Sequence, residues 1–396
     1  MSLSIFNQNI KKDIYGFYLC GGLKFHSKVE AMEFSQISGK PLYWNYNDEV
    51  FSLCDWTKEP ADSITELYRK RAQQLRDNYD YLVLLYSSGS DSDNILKTFI
   101  DNNIKLDEVV SMINYEASKD KLSKLNAEIF EIAIPTIKEC QKKQPQLKHR
   151  IHDITSDVIE KYSSLDLNYL YEQNVLYTNF HSTLHEIRKK VYDWNEKFNS
   201  GKRVAFIMGV DKPKLDIDFK GNLKFKFGEP SVSSAISAKT MMENNPWEFN
   251  ELFYWSPDFP EIAIKQAHIV KNFFKRNGLS KFKKNPFTKG TFTLQPPQGA
   301  FIIMYLDSLG ERFWLTNEDL NSMIYPYWYK KPYQYKTISN VFYDKDDWFN
   351  NLSMNEQIKK NWWATMQKIL EFTNTNPLKD SLHIKPVACK LYNLEN

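Results

Sequence analysis

Residues 81–85, Tyr-Leu-Val-Leu-Leu, form an unbroken apolar run that ends abruptly in Ser87-Ser88-Gly89-Ser90-Asp91-Ser92. A run without polar alternation suits a strand covered on both faces, as in a parallel sheet. Beyond the polar turn, Ile95, Leu96, Phe99 and Ile100 recur at helical spacing, so strand, turn and helix follow directly on one another. The alternation continues. Val109 to Ile113 reads as a second strand, Leu122 to Ala133 as a helix interrupted by Pro135, and Arg150 to Ile154 as a third strand. A helical pattern from Ser156 to Phe198 stops at Gly201, and Val204 to Met208 supplies a fourth apolar strand ending at Gly209. An α/β fold with a doubly wound parallel sheet is the economical expectation.

The sheet does not account for the whole chain, because 396 residues exceed what one hydrophobic core usually organises. Three units are expected. Residues 1–58 read as a small α+β unit, with Ser27 and Glu30 opening a helix and a hairpin around Asn47-Asp48. Residues 59–229 contain the sheet. Ser63 and Glu66 form a capping box before a helix whose Ile64, Leu67, Tyr68 and Leu75 share one face, and Leu215–Phe219 with Leu223–Phe227 make an appended hairpin. Residues 230–396 read as a mainly helical domain, with helices around 260–276 and 353–372 and aromatic, proline-rich loops such as Tyr325-Pro326-Tyr327-Trp328-Tyr329. A formal charge of +3 is too close to balance to select a nucleic-acid or membrane partner. No apolar stretch long enough for a membrane span or a secretory leader is visible after Met1, so a soluble, intracellular protein is expected. Cys20, Cys54, Cys140 and Cys389 lie far apart, which argues for reduced structural thiols.

The turn after Leu85 carries the chemistry. A strand that ends in small residues at a helix N-terminus presents backbone N–H groups and the positive end of the helix dipole to one point, where a phosphate can bind. Small side chains at Ser87, Ser88, Gly89, Ser90 and Ser92 admit the anion, and Asp91 can hold a magnesium ion that offsets its charge. There is neither a Walker spacing nor a GxGxxG. The segment resembles the SGGxDS signature of the PP-loop ATP pyrophosphatases, the group that includes asparagine synthetases, NAD and GMP synthetases and lysidine synthetase. Ser87, Gly89, Asp91 and Ser92 match the signature, and Ser88 stands where its first glycine is usual.

That resemblance implies a Rossmann-like fold of the adenine-nucleotide α-hydrolase type, in which the loop grips the β- and γ-phosphates of ATP and the enzyme cleaves between α and β. A substrate oxygen is adenylated, pyrophosphate leaves, and a nucleophile displaces AMP. Met112, Ile113 and Asn114, ending the second strand, would lie against adenine and ribose. Gly209-Val210-Asp211-Lys212-Pro213 follows the fourth strand and looks like the glycine-plus-acid segment that asparagine synthetases place beside pyrophosphate. Asp211 would share the magnesium with Asp91, and Lys212 or Lys214 would neutralise the leaving pyrophosphate.

Nitrogen is the preferred nucleophile, because no cysteine pair exists to relay sulfur. The expected enzyme is therefore an ATP- and magnesium-dependent ligase that joins a nitrogen donor to a small-molecule or nucleobase acceptor as an amide or amidine. Two alternatives stay open: a phosphoadenylylsulfate reductase-like or sulfur-transferring relative, and a nucleotide-sensing or nucleic-acid-binding module without turnover. For the latter, Lys271, Lys275, Arg276, Lys281, Lys283, Lys284 and Lys289 are interleaved with Phe273, Phe274, Phe282 and Phe287, although a solvated helix face explains the same pattern. His181 and His185 are four apart but lack further ligands, and His268 reads as a core histidine. Phe253–Gln266 and Ile384–Tyr392 look similar to PP-loop proteins of tailed bacteriophages, which implies a cytoplasmic location, in a host cell if the protein is phage-encoded.

Overall fold

Backbone conformation at a few turn residues sets how the N-terminal part of the chain folds. The computed structural model describes residues 16–26, 28–113, 115–118, 121, 126–154, 156, 191–209, 212–218, 222–227, 245–278, 283–284, 300–306, 311–328 and 387–395. Strands β1 (Phe17–Cys20) and β2 (Leu23–Phe25) are joined by Gly21-Gly22, whose φ values of 57° and 85° require glycine. Helix α1 (Lys28–Ser38) leads to β3 (Leu42–Asn45), which pairs antiparallel with β1, Phe17 opposite Asn45 and Cys20 opposite Leu42. The hairpin expected around Asn47-Asp48 does not form. Asn47 adopts φ 49° and starts a single helical turn, α2 (Asp48–Phe51), in which the Val50 and Phe51 N–H groups donate to the Asn47 carbonyl at 2.9 and 3.0 Å. The turn delivers Phe51 into the core, 4.3 Å from the Phe227 ring, and burying that ring outweighs a solvent-facing hairpin.

Helix α3 (Ile64–Asn78) begins as its capping box predicts: Ser63 Oγ accepts the Glu66 N–H at 3.2 Å, an interaction worth about 1 kcal/mol. Leu67, Tyr68, Ala72 and Leu75 turn inward. Then come β4 (Tyr81–Leu85), α4 (Ser90–Asp101), β5 (Glu108–Ile113) and a short α5 (Tyr115–Ser118). Pro135 does not interrupt the following helix. A π-helical turn at Ile129–Ala133, closed by the Ile134 N–H donating to the Ile129 carbonyl, runs into α6 (Ile134–Lys143), and the proline follows directly on that wider turn. Strand β6 (Lys148–Asp153), helix α7 (Tyr192–Asn199) and strand β7 (Val204–Met208) complete the alternation. Strands β8 (Lys214–Ile217) and β9 (Leu223–Lys226) form the expected hairpin, Leu215 opposite Phe225.

The sheet draws its fifth strand, β10 (Glu248–Leu252), from beyond the boundary expected near Glu229-Pro230. Its order is β10-β7-β4-β5-β6 and every pairing is parallel, an arrangement compatible with a Rossmann-like α/β fold. Successive strands β4, β5 and β6 step outward in one direction, whereas β7 and β10 add on the other side of β4. The order reverses between β4 and β7, and in open α/β sheets ligands bind in the crevice at such a switch point, outside the strands' carboxyl ends.

Past the sheet, α8 (Glu261–Asn277) appears where a helix was expected, but the region is not mainly helical among the described residues. Strands β11 (Lys283–Lys284), β12 (Ala300–Leu306) and β13 (Glu311–Thr316) form an antiparallel sheet before α9 (Asn317–Ile324). The helix expected at 353–372 lies outside the described residues. Strand β14 (Ala388–Cys389) then pairs parallel with β3, and β15 (Leu391–Asn393) pairs with β9. A shared aromatic core of Trp44, Tyr46, Phe51, Trp56, Phe227 and Trp255 joins the N-terminal strands to the sheet, and Tyr46 donates its hydroxyl to the Trp255 carbonyl at 2.6 Å. Among the described residues, no helix is long and apolar enough to cross a membrane.

Candidate functional site

The loop after β4 is anchored to β5 before it turns. The Tyr86 N–H donates to the Val110 carbonyl at 2.8 Å, and Ser111 Oγ donates to the Tyr86 carbonyl at 3.0 Å. Ser87 is exposed, and its Oγ accepts the Gly89 N–H at 3.2 Å. Ser88 adopts φ 61°, the left-handed conformation that glycine would adopt freely, and it is fully buried, its Oγ donating to the Glu128 carbonyl at 3.4 Å. Gly89 is extended and caps α4; Ser92 Oγ and the Asp93 N–H both donate to its carbonyl, at 3.2 and 2.9 Å. The turn therefore ends at the N-terminus of a helix of 12 residues.

In the first turn of α4, the Asp91 carboxylate lies at the switch point between β4 and β7. Lys212, from the stretch after β7, places its Nζ 2.8 Å from Oδ1 and 3.0 Å from Oδ2. Gly209 sits against the backbone of Asp91, where an added Cβ would come within 3.1 Å of the Asp91 carbonyl carbon. The sequence expectation that the two loops converge thus corresponds to direct contact between Asp91 and both Gly209 and Lys212. Met112 is half-buried and Ile113 buried at the end of β5, next to β4. Asn114 and Asp211 lie outside the described residues. Lys214 starts β8 and lies 5.7 Å over the Trp255 ring.

Three residues that sequence reasoning did not assign to the site also reach it. Tyr325 donates its hydroxyl to Asp91 Oδ1, Tyr254 donates to the Asp91 main-chain carbonyl at 2.7 Å, and Asn321 Nδ2 donates to Ser90 Oγ at 3.1 Å. Tyr254 is in turn an acceptor for Asn94 Nδ2 at 3.1 Å. Burial pushes the phenols of Tyr254 and Tyr325 well above their ordinary range, with the Asp91 charge adding to both, so each stays a donor. The aromatic run at Tyr325 marked a loop, but nothing in its spacing tied it to residue 91.

The donor set determines which cation suits the site. Among the described residues no three His, Cys, Asp or Glu side chains form a metal cluster. Magnesium usually arrives on substrate phosphates, keeps several waters and takes one or two carboxylates, and the partly exposed Asp91 is a carboxylate of that kind.

Other candidates have internal work. His268 is buried with Nε2 2.9 Å from the Trp56 carbonyl. Lys271 donates to the Leu394 carbonyl at 2.8 Å and Lys275 pairs with Glu395 at 2.7 Å, Phe274 is buried, Arg276 donates to the Asn272 carbonyl at 3.2 Å, and Lys283 and Lys284 pair with β13, so two of the lysines bind the chain's own C-terminal residues. His181, His185 and most of 279–289 lie outside the described residues. No protein-family model matches the chain, and no curated protein matches its sequence.

Proposed function

We propose that the crevice between β4 and β7 binds ATP, with the β- and γ-phosphates at Ser87–Ser92, and that the protein is a PP-loop enzyme that transfers AMP to a substrate oxygen. One observation carries the reading: an acid at the start of α4 and a lysine after β7 meet across the point where the strand order reverses. In this reading the acceptor oxygen attacks the α-phosphorus, the bond to the bridging oxygen breaks, and pyrophosphate leaves. Lys212 leaves Asp91 for the phosphates and neutralises the charge that builds on the departing group. Asp91 holds the accompanying magnesium, which shields the phosphates. A nitrogen nucleophile then displaces AMP. Cysteine chemistry favours nitrogen over sulfur: Cys20 and Cys140 are buried, and burial raises the Cys54 thiol and pushes Cys140 and Cys389 up to about 11, away from the reactive thiolate.

A second reading, ATP binding without turnover, draws on the Gly89 N–H, which Ser87 Oγ already engages, and on the buried Ser88 side chain inside the turn. Incubation with ATP, magnesium and candidate acceptors separates the two. AMP and pyrophosphate in equal amounts support the ligase; bound but intact ATP supports the sensor; ADP and phosphate contradict both.

A further inference from the structure

Behind the Asp91 carboxylate stands a layer of tyrosines contributed by three separate parts of the chain. Tyr68 belongs to α3, Tyr254 follows β10 and Tyr325 follows α9, and each is no more than 2% exposed. The rings of Tyr254 and Tyr325 are 5.4 Å apart and those of Tyr68 and Tyr254 5.5 Å apart. Tyr68 donates its hydroxyl to the Ile324 carbonyl at 2.7 Å while accepting from Gln266 Nε2 at 2.8 Å. That bond pins the residue immediately before Tyr325 to α3 and α8, so the Tyr325 hydroxyl meets Asp91 Oδ1 from a rigid support.

The two side chains that hold the carboxylate differ in kind. Lys212 is a flexible cation, 14% exposed, and an incoming polyphosphate competes for it directly. Tyr325 is a neutral donor, 2% exposed and packed against the Tyr254 ring, and carries no charge for an incoming polyphosphate to attract.

We propose that Tyr325 is a positioning residue for Asp91: it holds Oδ1, the oxygen it shares with Lys212, so that when Lys212 turns to bound phosphates the carboxylate keeps its orientation and offers its other oxygen to the magnesium they carry. This inference rests on the nucleotide reading above. It assigns a role in the loop's chemistry to a residue 234 positions away in the chain.

Calorimetric ATP titrations at graded magnesium, on the full chain and on Tyr325→Phe and Tyr254→Phe, test it. Phenylalanine keeps the ring and removes only the donor. In Tyr325→Phe, half-maximal tightening of ATP binding should need about tenfold more magnesium, the size of one lost hydrogen bond to a charged group, with metal-free ATP binding unchanged. Tyr254→Phe, which loses a bond to the main chain, should retain the wild-type magnesium requirement. An unchanged requirement in Tyr325→Phe, or an equal rise in both variants, overturns the role. Wild-type protein that binds no ATP at any magnesium concentration overturns the nucleotide reading instead. Crystal structures of Lys212→Met with and without Tyr325→Phe give a readout independent of nucleotide, because Lys212 otherwise holds both carboxylate oxygens: a carboxylate that keeps its wild-type position in Lys212→Met and turns off it in the double variant supports the positioning role, and one that superimposes in both refutes it.

Discussion

Gly209 and Asp91 are in contact across the switch point: a Cβ on Gly209 would stand 3.1 Å from the Asp91 carbonyl carbon, 3.2 Å from its Cβ and 3.1 Å from Ile95 Cδ1. The residue after β7 must therefore be small if the first turn of α4 is to reach the crevice. Gly209→Ala should shift α4 by a few tenths of an ångström and cost about 1 kcal/mol, and Gly209→Val should cost about 2–3 kcal/mol. Because the displaced atoms belong to Asp91, ATP affinity should fall in the same order. Urea unfolding and ATP titration of both variants check this, and wild-type affinity in Gly209→Val would show that the contact has no bearing on the site.

Ser88 bears a backbone conformation that costs an L-residue about 1–2 kcal/mol, and its hydrogen bond to Glu128 at 3.4 Å returns little of that. Glycine relieves the conformation but adds freedom to the unfolded chain, so Ser88→Gly should lie within about 1 kcal/mol of wild type. Ser88→Val combines a β-branched side chain with the same φ and with a fully buried site, and should lose about 2 kcal/mol or more. Denaturant midpoints distinguish the pair; equal stabilities would mean that the turn relaxes to another conformation.

The parts of this architecture that local chemistry dictates could be read from the chain. Val204–Met208 is apolar throughout and is a strand to the residue, and Ser63 with Glu66 marks where α3 begins. What could not be read depends on partners distant in sequence. Strand β10 carries Glu248, Asn250 and Glu251 and so looks like a loop, yet Glu251 is buried because Arg71, 180 residues away, pairs with it at 2.7 Å and Tyr79 donates to it. Asn47 resembled a hairpin turn because its left-handed conformation serves equally to start a helical turn, and only the place waiting for Phe51 decides between them. Likewise Asp91 stands out as a candidate from its own loop, whereas Tyr325, which donates to it, has no local signature that points there.

Removing either half of the Asp91–Lys212 pair should harm function more than folding. The two side chains are 30% and 14% exposed, so solvent and salt screen the pair, and its loss should cost no more than about 1 kcal/mol of stability. Lys212→Met should lower pyrophosphate release by about a hundredfold or more, in line with loss of one charge-stabilising donor. Asp91→Asn still accepts from Tyr325 but loses the charge that would hold magnesium in the proposed reading, and should abolish release while leaving the melting temperature within a few degrees of wild type. Measuring released pyrophosphate alongside thermal unfolding checks both, and a large drop in melting temperature with each variant would reassign the pair to structural duty.

One buried histidine, His268, and one half-buried, His149, should make the fold acid-sensitive at mild pH. Burial lowers both His268 and His149 below the ordinary 6.5; around His268, Lys271 and Lys265 push the same way, while Glu59 and the Trp56 carbonyl oppose them. Well above pH 6.5 these rings are neutral in both the folded and unfolded chain and contribute nothing to the pH dependence. As pH falls from 6.5 toward the lowered folded values, the unfolded chain takes up protons that the folded chain does not, so stability declines. Glu59 and Glu66, whose carboxyls are held below the ordinary 4.5, add a separate loss only at lower pH. His268→Gln keeps a donor for the Trp56 carbonyl, bonded at 2.9 Å in the wild type, and removes the titration. Urea unfolding at pH 7.5 and 5.5 should therefore show a smaller loss of stability in His268→Gln than in wild type, and identical losses would show that His268 titrates alike in the folded and unfolded chain.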